Sequence, residues 1–169
     1  VKDMLAESIP IIFYKTEKDL RDFCKEKKDQ FKVINIADLA IPTGVNGVDK
    51  YRDGDTYRKR TPLHVRASLI HNKYLDKLGL SGIIEPIKSG DKIKWIPLIT
   101  PNPITGMDDV IAFQGDQMPD FMIEGEHNVM DYIDYDRLYY RAFMKPIEGL
   151  TEPLNYNLSI ETTLDDIFG

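Results

Sequence analysis

Residues 83–99 read IIEPIKSGDKIKWIPLI, and this stretch predicts the sheet around which the rest of the fold is arranged. Segments 83–87 and 92–99 are short and rich in isoleucine, so each predicts a strand. The intervening KSGD at 88–91 has the composition of a tight turn. Val110–Phe113 predicts a third strand, and short connections favour antiparallel pairing. The stretch therefore predicts a small, mainly antiparallel sheet ending near residue 113.

Helical patterns flank this region, so the fold class predicted is α+β, with helices around the sheet. Thr16, with an acidic residue three positions later, predicts the start of a helix that runs to about Phe31. Apolar residues at four-residue spacing predict a second helix over 65–78, which Gly79 would end. Residues 33–40 predict one more short strand.

Residues 108–136 carry nine acidic side chains and no Lys or Arg, so this region is expected to lie away from any nucleic acid. Its last acids, Asp131, Asp134 and Asp136, precede or enter a third predicted helix that reaches about Met144. Negative charge is favourable there because a helix N-terminus carries partial positive charge. Helix capping therefore explains these carboxylates better than metal binding does.

The composition of the 169 residues is that of a globular protein, with 42% hydrophobic residues and one cysteine, Cys24. A lone cysteine excludes an internal disulfide and favours a reducing compartment, and Cys24 falls on the apolar face of the first helix. No apolar run is long enough for a membrane span. The chain begins with Val, which fits a fragment, a processed product or an unusual start.

A basic stretch at residues 50–66, KYRDGDTYRKRTPLHVR, stands out against this acidic background. It carries six basic and two acidic residues, while the whole chain has a net charge of −6. A positive island interleaved with tyrosines is typical of polyanion-binding segments. The alternative that stays open is a solvated loop whose charges only aid solubility. Arg66 and His64 would lie at a helix N-terminus, a position that favours phosphate. His64 and His71 have no third ligand nearby, so a metal site is not predicted.

Taken together, several motifs resemble the C-terminal end of the family B DNA polymerases of large tailed bacteriophages. The family's Lys-Tyr, followed by a basic residue, Pro and His-(Ile/Val)-Arg, resembles Lys50-Tyr51 and then RTPLHVR at 60–66. The turn and strand over 91–98 resemble the family's Gly-Glu-Lys turn. IDY at 133–135 and FMKPIEG at 143–149 resemble the family's Asp-Tyr…Phe-x-Lys-Pro-Leu-Glu-Gly helix.

The resemblance implies a thumb domain that grips primer–template duplex through backbone phosphates and the minor groove. It implies three parts: residues 1–48 at the helical end of the palm, 49–150 as the thumb, and 151–169 as a flexible tail. The matched positions make Lys50, Tyr51, Arg60 and Arg66 the expected DNA contacts, supported by Arg58, Lys59 and His64.

The C-terminus resembles the short hydrophobic tail with which these polymerases bind their sliding clamp. The spacing of Leu164, Ile167 and Phe168 predicts that one helical turn would present all three on a single side for a clamp pocket. The alternative that stays open is a tail that folds back onto the core of its own domain. The implied partners are double-stranded primer–template DNA, the sliding clamp, and the exonuclease, palm and fingers part of the polymerase, with no membrane. The implied location is the cytoplasm of the infected bacterial host.

The catalytic motifs of the family, Asp-Thr-Asp and Ser-Leu-Tyr-Pro, are absent from this sequence. The chain alone is therefore expected to be inactive, although it would be part of a nucleotidyltransferase. It needs no cofactor of its own; the Mg²⁺ and bound nucleotide of polymerase chemistry would belong to the catalytic part. The alternative, from a different class, is a free-standing, non-catalytic nucleic-acid-binding accessory protein.

Overall fold

The computed structural model describes residues 1–158 and confirms an α+β fold, divided into two compact units. One unit is Asn35–Leu138 and contains the sheets. The other combines Val1–Ile34 with the segment that begins at Tyr139. Among residues 1–158, no helix has the length and apolar character that crossing a membrane requires.

The secondary structure consists of short strands between helices of very different length. The helices are α1 (Lys2–Tyr14), α2 (Glu17–Phe31), α3 (Ile36–Leu39), α4 (Val48–Tyr51), α5 (Leu63–Lys77), α6 (Asp120–Ile123), α7 (Tyr135–Tyr139) and α8 (Lys145–Thr151). The strands are β1 (Ile41–Gly44), β2 (Arg52–Asp53), β3 (Thr56–Tyr57), β4 (Lys92–Pro97) and β5 (Val110–Phe113). Val129–Tyr132 and Glu152–Leu154 are 3₁₀ turns, and Tyr140–Met144 is a π-helical turn.

Helix α2 begins where the sequence predicts, because Thr16 and Asp19 cap each other. The Thr16 hydroxyl accepts a hydrogen bond from the Asp19 amide at 3.2 Å, and the Asp19 carboxylate accepts one from the Thr16 amide at 2.9 Å. These reciprocal bonds satisfy two amides that the helix itself leaves unpaired. The helix then buries Leu20, Cys24 and Phe31.

The helical unit has an aromatic core. The Tyr139 ring meets Phe31 edge-on at 5.2 Å between ring centroids and lies 5.2 Å from Phe143. The Tyr139 hydroxyl donates a hydrogen bond to the Cys24 carbonyl oxygen at 2.5 Å. Burial raises the pKa of the Cys24 thiol to about 11, so the thiol stays protonated and unreactive near neutral pH. The assignment of Cys24 to the core is confirmed.

The main sheet is antiparallel, as predicted, with the strand order β1–β4–β5. The expected pairing of β4 with residues 83–87 is wrong, because β4 pairs with β1 on that side, with Ile41 opposite Trp95. The Asn72 side chain of α5 makes the hydrogen bonds that a neighbouring strand would otherwise make to Ile87. The Ile87 amide donates to Asn72 Oδ1 at 2.7 Å, and Asn72 Nδ2 donates to the Ile87 carbonyl oxygen at 2.9 Å. Pro86 has no amide hydrogen to offer a ladder.

The strand predicted over 33–40 is also wrong, since helix α3 occupies Ile36–Leu39, half of that range. The Asn35 side chain accepts a hydrogen bond from the Ala37 amide at 2.9 Å. An Asn that bonds the backbone two residues on starts a helix or turn rather than a strand. The strand begins only at Ile41, after this helix has ended.

Helix α5 lies close to its predicted position and packs on the sheet through β5. His71 is buried, and its Nδ1–H donates a hydrogen bond to the Ala112 carbonyl oxygen at 2.7 Å. Gly79 follows the helix with a φ of +70°, the left-handed conformation typical of a helix end. The packing fixes the helix, and so fixes where the basic stretch joins it.

The third predicted helix is present in three successive parts. Helix α7 continues into the π-helical turn and α8, so the helical segment passes Met144 and ends at Thr151. The Asp134 carboxylate accepts a hydrogen bond from the Arg137 amide at 3.0 Å, which confirms the predicted capping role for this acid.

Candidate nucleic-acid interface

The basic stretch 50–66 folds as a helix end, a tight hairpin, a loop and the first turn of α5. Lys50 and Tyr51 end α4, and the chain then enters the β2–β3 hairpin, in which Arg52 lies opposite Tyr57. Gly54 turns the hairpin with a φ of +55°, which a residue with a side chain seldom adopts. Loop residues 58–62 connect the hairpin to α5.

Hydrogen bonds to backbone groups hold both ends of the segment that leads into and out of the hairpin. The Ser89 hydroxyl accepts from the amides of Gly47 and Val48 at 3.0 and 2.9 Å. The Arg58 amide donates to the Tyr51 carbonyl oxygen at 2.9 Å, and the Thr61 hydroxyl donates to the Arg58 carbonyl at 2.6 Å. The cations of the segment are therefore displayed from a defined backbone rather than from an unanchored loop.

The structure brings several of the predicted DNA contacts together on this one exposed segment. Arg58, Lys59 and Arg60 are exposed, and within residues 1–158 none of them makes an ion pair. The Lys50 ammonium lies 5.2 Å from the centroid of the Tyr51 ring. Unpaired cations keep their full attraction for an external anion, because no internal carboxylate offsets it.

Arg60 has an unusual backbone conformation, with a φ of +66°. A residue with a β-carbon costs about 1 kcal/mol in this left-handed region. The conformation places a long cationic side chain at a turn where glycine is the ordinary choice. Backbone strain of this kind is concentrated at functional sites, which agrees with the predicted role of this residue.

Arg66 is placed differently from the other predicted contacts, because it is already paired inside the protein. Its Nη2 lies 2.5 Å from Asp109 Oδ1, while the other Asp109 oxygen lies 2.5 Å from Arg137 Nη1. The Arg66 guanidinium also lies over the Tyr57 ring, at 5.8 Å from its centroid. Arg66 still presents about a quarter of its side chain to solvent.

A second acid of the same loop contacts the hairpin. The Tyr57 hydroxyl donates a hydrogen bond to Asp108 Oδ1 at 2.5 Å. Burial and this bond to a carboxylate both raise the pKa of Tyr57 above its ordinary value, so the hydroxyl remains a donor at neutral pH. The expectation that region 108–136 lies apart from the basic stretch is therefore wrong for Asp108 and Asp109. Sequence reasoning missed them because the loop before β5 folds back onto α5.

The remaining predicted contact, His64, lies in the first turn of α5 and is half-buried. Its carbonyl oxygen accepts a hydrogen bond from the Ser68 hydroxyl at 2.9 Å. His71, the second histidine considered, is inside the core of the sheet unit. Across the described residues, no group of three or more His, Cys, Asp or Glu side chains has the arrangement of a metal site.

A surface groove of about 470 Å³ separates the hairpin from α5. Its lining is mixed in charge, with three basic residues (Arg52, Lys73 and Lys77) and two acidic ones (Asp55 and Asp76). Lys77 donates to the Pro103 carbonyl at 2.8 Å, whereas Lys73 makes no ion pair in the described part of the chain. The hairpin that approaches these helical lysines is too short to recognise from sequence periodicity.

The structure tests neither the predicted DNA and clamp contacts as contacts nor the predicted functional division of the chain. The tail residues Leu164, Ile167 and Phe168 lie outside the described residues, 1–158. The functional division into 1–48, 49–150 and 151–169 stays a prediction.

Comparison with known proteins confirms the resemblance to phage DNA polymerases. The chain is 27% identical over 170 aligned residues to the DNA-directed DNA polymerase of Enterobacteria phage T4, an alignment covering 100% of this chain. It is 27% identical over 141 residues to the DNA-directed DNA polymerase of Escherichia phage RB69, with 82% of this chain covered. The chain spans only 18% and 14% of the lengths of these two relatives. No family model matches the chain.

Proposed function

We propose that this chain, similar throughout to phage DNA-directed DNA polymerases, is the C-terminal thumb region of such an enzyme. The observation that carries the proposal is the exposed trio Arg58, Lys59 and Arg60, hereafter the cation trio. Its members have no acidic partner in residues 1–158, on a chain whose net charge is −6. Three adjacent cations without acidic partners repel one another, and an external anion would offset that repulsion.

In this function the cation trio contacts the phosphates of primer–template duplex. Binding of phosphates releases condensed counterions and does not depend on base sequence, as a polymerase moving along its template requires. Lys50 and Tyr51 lie at the same open end of the hairpin, where the Arg58 amide donates to the Tyr51 carbonyl oxygen at 2.9 Å, and they extend the contact surface. The ring of Tyr51 beside an ammonium group suits stacking or sugar contact in the minor groove.

Nucleotide transfer itself is assigned to another part of the polymerase. Two-metal chemistry needs clustered carboxylates, and Mg²⁺ would be held by the exonuclease, palm and fingers part. This chain would supply affinity for the duplex, and the catalytic part would supply nucleotide binding and chemistry. The complete enzyme would work in the cytoplasm of the infected bacterial host.

The direct test is titration of the purified chain with two 20-base-pair duplexes of unrelated sequence at several salt concentrations. We expect equal affinity for the two duplexes and a linear fall of log K with log salt, with a slope of roughly −3 for about three to four phosphate contacts. A marked preference for one sequence, or affinity independent of salt, would contradict the proposal.

Primer extension distinguishes a polymerase thumb from a free-standing accessory protein. A phage polymerase shortened by its own matching region should regain processive synthesis when this chain is supplied by fusion or co-expression. An accessory protein would bind duplex equally well but would neither associate with that polymerase nor change the length of its products.

The tail is proposed to bind the sliding clamp. Replacing Leu164, Ile167 and Phe168 together by Ala should abolish clamp binding by the chain and clamp-stimulated synthesis by the assembled polymerase, because tethering raises effective concentration by orders of magnitude. The measurement is clamp pull-down together with primer extension. The matched control is Asp165→Ala/Asp166→Ala, which changes the two residues between Leu164 and Ile167 but keeps the three apolar side chains. Retained clamp binding, or a large loss of folding stability, would overturn the assignment.

A further inference from the structure

Tyr57 and Asp108 join the hairpin to the loop that precedes β5. The bond from the Tyr57 hydroxyl to Asp108 Oδ1, at 2.5 Å, crosses 51 positions of sequence. Tyr57 is the last residue of β3, and the cation trio follows it directly. The hydrogen bond between Tyr57 and Asp108 therefore fixes the position of the residue that immediately precedes the cation trio.

The neighbouring ion pairs reinforce this connection. The Arg66 guanidinium lies over the Tyr57 ring at 5.8 Å and is held by Asp109, which also binds Arg137. The Arg66 Nε is buried and has no hydrogen-bond partner among the described residues, so the position of this side chain depends on Asp109 and the ring. Both sides of the loop 58–62 are thus tied to the segment Asp108–Asp109.

We propose that Tyr57 and Asp108 are positioning residues of the duplex grip: their hydrogen bond holds the cation trio in the geometry that phosphates require. The inference rests on the proposed function and adds to it a role for an acidic residue. Electrostatics alone gives the opposite expectation, because removing a carboxylate beside a phosphate-binding surface should strengthen binding. Asp108 instead supports binding, since the cost of repelling phosphate is smaller than the gain from an ordered loop.

Two substitutions test the bond from its two ends. Tyr57→Phe removes the hydroxyl but keeps the ring under Arg66 and changes no charge, while Asp108→Ala removes the acceptor and one negative charge. Removing a hydrogen bond to a charged group destabilises the ordered loop and lowers its population. We therefore expect each variant to bind a 20-base-pair duplex about fivefold more weakly, with the same salt slope as the wild type. The double variant should be no weaker than either single one.

The matched control is Asp116→Ala, which removes an exposed acid from the loop after β5, in the same unit. It should bind duplex as tightly as the wild type or slightly more tightly. If Asp108→Ala behaved like this control, or if Tyr57→Phe bound like the wild type, the positioning role would be refuted. Thermal unfolding of each variant separates a local effect from loss of the fold, since a correctly folded variant keeps a single cooperative transition even if its midpoint is lower.

A measurement without DNA tests the same bond independently of the proposed function. Trypsin cleaves after Arg58, Lys59 and Arg60, and released loops are cleaved faster than anchored ones. We expect cleavage there to accelerate severalfold in Tyr57→Phe and Asp108→Ala but not in Asp116→Ala. Unchanged cleavage would overturn the positioning role. Accelerated cleavage in a chain that never binds duplex would overturn the proposed function and leave the anchoring of the loop established.

Discussion

Replacing Arg58, Lys59 and Arg60 together by Glu is expected to lower the affinity of the chain for duplex DNA by about a hundredfold. The expectation follows from their exposure and from the absence of acidic partners for them within residues 1–158. Each contact that is lost also removes roughly 0.9 from the magnitude of the salt slope, so the slope should fall by about 2 to 3. The measurement is fluorescence anisotropy with a labelled duplex over a series of salt concentrations.

The control for this variant must change the net charge by the same amount at a different place. Lys2, Lys18 and Lys32 are exposed residues of the helical unit, so their joint replacement by Glu provides that match. We expect this control to lose only a few-fold in affinity, through weaker long-range attraction. Equal losses in the two triple variants would mean that total charge, rather than the basic stretch, governs binding.

Acidification is expected to destabilise the sheet unit through His71. Burial lowers the pKa of this imidazole from 6.5 to about 4, although its bond to Ala112 acts in the opposite direction. Between these two values the unfolded chain binds the proton and the folded chain does not, so stability is complete above pH 6.5 and falls as the pH drops toward 4. The full difference corresponds to about 3 kcal/mol. Urea unfolding at a series of pH values measures it.

The variant His71→Gln isolates this contribution. Glutamine can still donate a hydrogen bond toward Ala112 but does not titrate, so the variant should lose most of the pH dependence between 6.5 and 4. The absolute stability of the variant can be lower, and the comparison uses only its change with pH. A wild-type stability that stayed constant over this interval would show that the folded protein protonates His71 without cost.

Local sequence signals predicted the parts of the fold whose determinants lie close together in the chain. Thr16 and Asp19 are three residues apart, and the helix that they cap begins where expected. The errors arose where a distant side chain decides the backbone, as Asn72 does when it satisfies Ile87 and removes residues 83–87 from the sheet. The hydrophobic periodicity of the sequence does not predict a hydrogen bond between a side chain and a backbone 15 residues away.

The same distinction applies to the candidate site. Charge and spacing were enough to select the cations of residues 50–66, and those at 58–60 are exposed as a binding role requires. The ion pairs of Arg66 with Asp109 and of Arg137 with the same acid span 43 and 28 positions. Sequence alone therefore assigned Arg66 the same role as its exposed neighbours, whereas the structure holds it against an internal carboxylate.

The pairing of β1 with β4 makes the basic stretch part of a closed loop. The Val45 amide donates to the Asp91 carbonyl and the Gly90 amide to the Val45 carbonyl, at 2.9 and 2.8 Å, so the chain returns to where it left the sheet. The entropy of closing such a loop grows only with the logarithm of its length, and even doubling the length costs about 0.6 kcal/mol. The hairpin tip at Gly54 and Asp55, which makes no ladder pair, can therefore gain residues at little cost to the sheet. Under the proposed function, a longer tip changes the reach of the hairpin while the framework beneath it stays the same.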